Sequence, residues 1–124
     1  MIQLTTQHII QMHNMLIAET GGSKGLRDEN LLSSSLANPF QTFEGFYIYP
    51  TIEAKAARLA FGLINNHPFV DGNKRIGILA MLTFLELNGI YLNYTNDELI
   101  SLGLSIADHS ISFEEIIDWI NNHD

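Results

Sequence analysis

Residues 73–89 read NKRIGILAMLTFLELNG. Between Gly77 and Leu87 only Thr83 and Glu86 are polar, so the stretch has no solvated face and predicts a helix buried among other helices. Asn88-Gly89 ends it. A buried helix needs amphipathic partners, and the flanking sequence supplies them. Ile9, Met12, Leu16 and Ile17 recur at helical spacing behind Thr5 and Thr6, which predicts a first helix over about 6–20, stopped by Gly21-Gly22. Asp28 caps a short second helix carrying Leu31, Leu32 and Leu36, closed by Pro39. Thr51 caps a third with Ile52, Ala56, Leu59, Ala60 and Leu63 on one face. It must stop at His67, because Pro68 disfavours helical angles at the residue before it. Asn96 caps a helix over about 97–107, and Ser112 with Glu115 makes a capping box for a last helix carrying Phe113, Ile116, Ile117 and Ile120, with Trp119 packing beside them.

Two stretches depart from helix. FQTFEGFYIY at 40–49 holds five of the twelve aromatics and predicts a small β-hairpin around 42–49. The two-residue period of a strand would send about half of Phe40, Phe43 and Phe46 into the core. Tyr91 to Tyr94 reads as a brief extended piece, and no repeat, linker or low-complexity tract interrupts the chain. The expected architecture is a single all-α domain over 1–124, a helical bundle around a buried central helix.

A length of 124 residues suits one domain and is too short for two. With 46% apolar and 16% charged residues the chain can build a core and lies outside the disordered range. No apolar run approaches the ~20 residues that span a bilayer, and MIQLTTQHII lacks the features of a signal peptide, so the expected location is the cytoplasm, away from membranes. The absence of cysteine excludes disulfides, thiolate metal sites and thiol nucleophiles. The net charge of −8 is unevenly placed: all six cations (Lys24, Arg27, Lys55, Arg58, Lys74 and Arg75) lie within residues 1–75, and residues 76–124 carry acids alone. No basic stripe exists to neutralise phosphates along a groove, so nucleic acid is not an expected partner.

Chemistry gathers at HPFVDGNKR, residues 67–75, on the loop that enters the buried helix. The first N–H groups of a helix lack internal partners and attract anions, and Gly72 lets a ligand approach that backbone closely. Lys74 and Arg75 stand in the first turn, where the helix dipole disfavours cations unless an anion intervenes. Asp71 offers the hard oxygen that Mg²⁺ binds together with substrate phosphates, and His67 can accept a proton near neutral pH. A plain structural reading stands beside this one: Asp71 caps the helix and pairs with Lys74 or Arg75, Phe69 plugs the core, and His67 is a polar helix end. Elsewhere, Lys55 and Arg58 read as a solvated helix face near Glu53 or Glu44, and His8, His13, His109 and His123 lie at no metal-ligand spacing.

HPFVDGNKR resembles the Fic/Doc signature HxFx[D/E]GNxR, and its lysine after the asparagine resembles the Doc branch, the death-on-curing toxins of bacterial and phage toxin–antitoxin pairs. GG and GLRD within 21–28, EAKAARLA at 53–60 and FLELNG at 84–89 extend the likeness over about 2–122. The resemblance implies a Fic/Doc-type bundle in which His67 is the catalytic base toward a hydroxyl of a protein target and Asp71 holds magnesium on the phosphates of ATP. It further implies that Gly72, Asn73, Lys74 and Arg75 bind phosphate. AMP-transferring members carry glycine where Lys74 stands and a second arginine where Ile78 stands. Both departures resemble Doc, which implies transfer of the γ-phosphoryl of Mg-ATP to a hydroxyl of elongation factor Tu or a similar target, stopping translation. AMP transfer and a non-catalytic regulatory role are the alternatives.

The aromatic block matches the position of the family's flap, which implies that Phe43, Phe46 and Tyr47 dock the target by strand addition. The family's inhibitory pattern [S/T]xxxE[G/N] is absent: Ser110 and Glu114 have its spacing, but Glu115 follows. Restraint is therefore expected from a separate antitoxin whose disordered segment folds onto the chain.

Overall fold

The structure, a computed structural model, describes residues 1–124. Six helices form it: α1 (Thr6–Thr20), α2 (Glu29–Ala37), α3 (Ile52–Asn66), α4 (Asn73–Leu87), α5 (Asn96–Ala107) and α6 (Phe113–Asn122). The only sheet is a hairpin of β1 (Thr42–Phe43) and β2 (Phe46–Tyr47), so the all-α class holds. No helix is long and apolar enough to cross a membrane.

The centre is a pair of helices rather than one. α4 is buried along its length as its sequence requires, but α3 is buried just as thoroughly. Small side chains are the cause. Ala56, Ala57 and Ala60 are fully buried, and on the facing helix a Cβ at Gly77 would stand 2.6 Å from Ile64 Cγ1 and 3.4 Å from the Ala60 carbonyl oxygen. The α3 and α4 backbones therefore approach closely, and a side chain at Gly77 would push them apart. α2 closes on α3 at a second such point, where a Cβ at Gly62 would stand 3.5 Å from Ser35. α1, α5 and α6 complete the shell, and one contiguous cluster including Ile9, Leu32, Leu63, Phe84, Ile106 and Ile120 joins them all.

Most helix starts form as expected. Thr5, Asp28, Thr51 and Ser112 accept from the first-turn N–H groups of α1, α2, α3 and α6. The cap of α5 is Thr95 rather than Asn96, because Thr95 and Glu98 can close a reciprocal box. Pro39 does not close the second helix. It sits in a 3-10 turn, Asn38–Phe40, that continues α2, at an early position where its missing N–H has no partner to lose.

The hairpin corrects the expectation of alternating burial. Phe43 is 70% and Phe46 78% exposed, and only Phe40, before the strands, packs inward, edge-on to Phe84 at 5.9 Å. Two residues per strand, all of them exposed and with only the Lys55 ammonium set over the Tyr47 ring, leave no core side for the pleat to address. Lys55 also departs from the expected solvated face. It is 2% exposed, donates to the Tyr49 carbonyl at 2.5 Å and lies 4.0 Å from the centre of the Tyr47 ring. Its burial pushes its ammonium below the ordinary lysine range.

Candidate active site

Residues 67–72 link the ends of the two central helices. α3 ends with His67 in the left-handed region (φ 48°, ψ 57°), a conformation that costs a non-glycine residue on the order of 1–3 kcal/mol. Arg27 holds it there. Its Nε donates to the His67 carbonyl at 2.6 Å and its Nη2 to that of Asn66 at 2.9 Å, a cation set on the exposed carbonyls of a helix C-terminus. The Arg27 and Asp28 amides donate to the Pro68 carbonyl, and Val70 N–H to Gly25, so residues 25–28 lie alongside 68–70 like a short strand, with Leu26 bridged to Phe69.

Asn73 is the internal clamp of this loop. It is buried, its Oδ1 accepts from Phe69 N–H at 3.0 Å, and its Nδ2 donates to the Phe69 carbonyl at 2.9 Å. Those bonds fix the orientation of the amide and point Nδ2 at His67 Nδ1, 3.3 Å away. Nδ1 therefore acts as acceptor, and the neutral ring carries its proton on Nε2. Before Nε2 can accept a proton, the exposed His67 ring must shift to the Nδ1–H tautomer, which breaks the bond from Asn73.

Gly72, with φ 77°, is the N-cap of α4 and supplies no side-chain cap, so the first-turn N–H groups are left open to an anion. The expected cap by Asp71 does not form. Its Oδ1 instead accepts from Gly72 N–H at 2.8 Å and its Oδ2 from Ser23 N–H at 3.0 Å. These two bonds, then the charge of Arg75, hold the carboxyl below the usual aspartate range. Gly22 makes room for it, since a Cβ there would stand 2.6 Å from Asp71 Oδ2, while at Gly72 a Cβ would crowd Ile17 at 3.1 Å.

Arg75 joins the same corner, donating to Thr20 Oγ1 and the Gly21 carbonyl at the end of α1, with Nη2 3.8 Å from Asp71 Oδ1. Lys74 is exposed and makes no ion pair. It lies at the mouth of a groove of about 470 Å³ between α1, α4 and α5, walled by Leu16, Ile78, Leu79, Leu82, Leu99, Ile100 and Leu104.

The loop thus brings together His67, Asp71, Gly72, Asn73, Lys74 and Arg75, but their duties differ. Asn73's side chain is spent on the loop itself, leaving its backbone N–H as what it offers an anion. Phe43, Phe46 and Tyr47 stand on a separate hairpin, which is tied to α3 at Lys55 and makes no hydrogen bond to the loop. The segment beside the loop is 21–28, whose glycines and Arg27 stood in the sequence without a mechanism. His13 also escaped sequence reasoning: it is 1% exposed and donates from Nε2 to the Asp71 carbonyl at 2.7 Å. No three histidine or carboxylate side chains converge, so a divalent ion here would take Asp71 as its one protein carboxylate and complete its shell with phosphate oxygens and water, a donor set that suits magnesium.

The bundle and its anion-receptive loop have a counterpart among known proteins. A model of the Fic/DOC family matches residues 3–85, and the chain belongs to that family. It is also similar to the Toxin Doc of Mycolicibacterium smegmatis, 44% identical over 72 residues, in agreement with the Doc branch indicated by Lys74. That match spans 58% of this chain and 55% of the length of that toxin.

Proposed function

We propose that this chain is the toxin of a toxin–antitoxin pair and that it transfers the γ-phosphoryl of Mg-ATP to a hydroxyl side chain of a protein target, elongation factor Tu or a similar factor, in the cytoplasm. The observation that carries this reading is the uncapped N-terminus of α4, with an ionised Asp71, an unpaired Lys74 and His67 around it. His67 would take the proton of the attacking hydroxyl at Nε2 as the new oxygen–phosphorus bond forms and the bond to ADP breaks. The amides of α4 would hold the phosphates, and Lys74 would steer them at the mouth of the cradle. Asp71 would hold magnesium, which supplies charge neutralisation on the phosphates.

Two features favour γ-phosphoryl over AMP transfer. Lys74 puts a long cation where AMP-transferring relatives have glycine, and Ile78, in place of their second arginine, is 7% exposed in the apolar groove wall, where it offers a phosphate nothing. The test is a translation extract supplied with ATP labelled at either phosphate. Label on a protein from γ-labelled ATP alone is expected; label from α-labelled ATP alone would establish an AMP transferase instead.

The apolar groove suits the antitoxin segment, which we propose folds into it as a helix. Ile100 and Leu104 are 61% and 51% exposed, so Ile100→Glu should leave folding and toxicity intact and abolish neutralisation by the co-expressed antitoxin. Neutralisation that survives this change would place the antitoxin elsewhere.

A further inference from the structure

His13 has no role in the family signature, yet it reaches the centre of the loop from α1, 58 residues away in sequence. Its ring stacks on Phe69 with centroids 3.8 Å apart and planes 10° from parallel, and it is 1% exposed. Its Nε2 meets the Asp71 carbonyl oxygen at 2.7 Å. A carbonyl can only accept, so the ring donates and Nε2 carries the proton.

The bonded carbonyl belongs to the peptide between Asp71 and Gly72. In a trans peptide the C=O and N–H point in opposite directions, so drawing the Asp71 oxygen inward to His13 turns the Gly72 N–H outward. There it donates to Asp71 Oδ1 at 2.8 Å, beside the open amides of α4. Gly72, at φ 77°, tolerates both signs of φ, so the backbone itself opposes rotation of this peptide weakly. The flipped peptide would present a carbonyl oxygen to an incoming phosphate and would take from Asp71 one of the two N–H bonds that hold it ionised.

We propose that His13 is a positioning residue that locks the 71–72 peptide in the anion-accepting orientation, and so sets both the aim of Asp71 and the receptivity of the cradle. Its effect on nucleotide rests on the Mg-ATP reading above; its effect on the peptide does not. Neighbouring contacts support a locking role. Gly72 lies so near that a Cβ on it would stand 3.5 Å from His13 Nε2, and Asn73 holds both polar groups of Phe69, the ring on which His13 lies.

Three variants separate the N–H from the ring. His13→Gln and His13→Met are alike in length and both lose the stack, but only glutamine keeps a donor; His13→Phe keeps the stack and loses the donor. The Gly72 amide proton should keep the downfield shift of an N–H bonded to a carboxylate in the wild type and in His13→Gln, and lose it in the other two. Mg-ATP affinity measured by calorimetry should remain within about threefold for glutamine and fall by about 10–100-fold for methionine and phenylalanine, the range for residues that orient a ligand-holding group. Matched behaviour of the glutamine and methionine variants, or a phenylalanine variant like wild type, would overturn the proposal. Should the donor-less variants fail to fold, the tautomer of His13 in the wild type decides by nitrogen NMR: Nε2–H is expected, and Nδ1–H would exclude the bond. A wild type that binds no Mg-ATP defeats the proposed function, while the Gly72 amide still reports on His13.

Discussion

The two ends of α3 carry the two non-helical segments richest in chemistry, and they are built in opposite ways. At the C-terminal end, His67, Asp71 and Asn73 sit in a lattice of bonds from two other parts of the chain: Arg27 on the last carbonyls and Ser23 on the carboxylate, both from segment 21–28, and His13 of α1 on the Asp71 carbonyl. At the N-terminal end, Phe43 and Phe46 stand in solvent on strands of two residues, and Lys55 is the tie between hairpin and helix. A cluster of conspicuous side chains becomes a candidate site when its backbone is over-determined from outside, since only then is a strained residue such as His67 held ready. Aromatic density alone does not do this.

The contrast is sharpest in activity. His67→Ala should lower phosphoryl transfer by about 10²–10⁴-fold with an unchanged melting temperature, as expected of an exposed residue that acts on substrate. Wild-type transfer in that variant would show that the strain at His67 serves the fold alone. Asn73→Ala should do the reverse of a surface change and cost about 1–3 kcal/mol in urea unfolding, because it orphans the buried N–H and C=O of Phe69. An unaltered midpoint would mean that the loop is held without its clamp. Asp71→Ala should weaken Mg-ATP binding by about 10–100-fold in calorimetry; equal affinity would leave Asp71 as a tie to Ser23.

At the hairpin end, Phe43→Ala and Phe46→Ala should change stability by no more than about 0.5 kcal/mol, since neither ring is covered. A larger loss would reveal packing that their exposure denies. The smallest effect is a difference in pH response. Asp71 has its pKa lowered by the Ser23 and Gly72 amides, so its contribution is complete above the ordinary value of 3.8 and is lost as pH falls through the lower folded value. Lys55 has its pKa lowered by burial, so the unfolded chain binds more protons as pH approaches 10.5 and stability from this group rises with pH up to that value. Unfolding curves should show an acid loss that Asp71→Asn reduces and an alkaline gain that Lys55→Met removes; persistence of either in its variant would assign it to another group.

Most of the bundle was legible before any tertiary information. Helix periodicity and caps are local properties, so the ranges of α1, α2, α3 and α6 and the buried character of α4 follow from residues within one or two turns. The signature at 67–75 was legible for the same reason: phosphate affinity at a helix N-terminus needs only a glycine, an open first turn and nearby charge. The hairpin's exposure was not legible, because alternation predicts burial only when something lies on the sheet.

By itself, then, the sequence determined an all-α chain of the Fic/DOC family and the order of groups along its loop, since both are written in contiguous residues. Tertiary structure decided which of those groups are free to act. Asn73 turns inward because Phe69 is buried beside it, Arg75 is drawn to Gly21 because α1 ends there, and Lys74 stays free because no acid faces it. It also recruited His13, Ser23 and Arg27 from positions 40 to 58 residues distant. The physical reason is the cost of a buried or strained backbone group: each must find a partner, and the partner comes from whichever element the packing of α3 on α4 brings near.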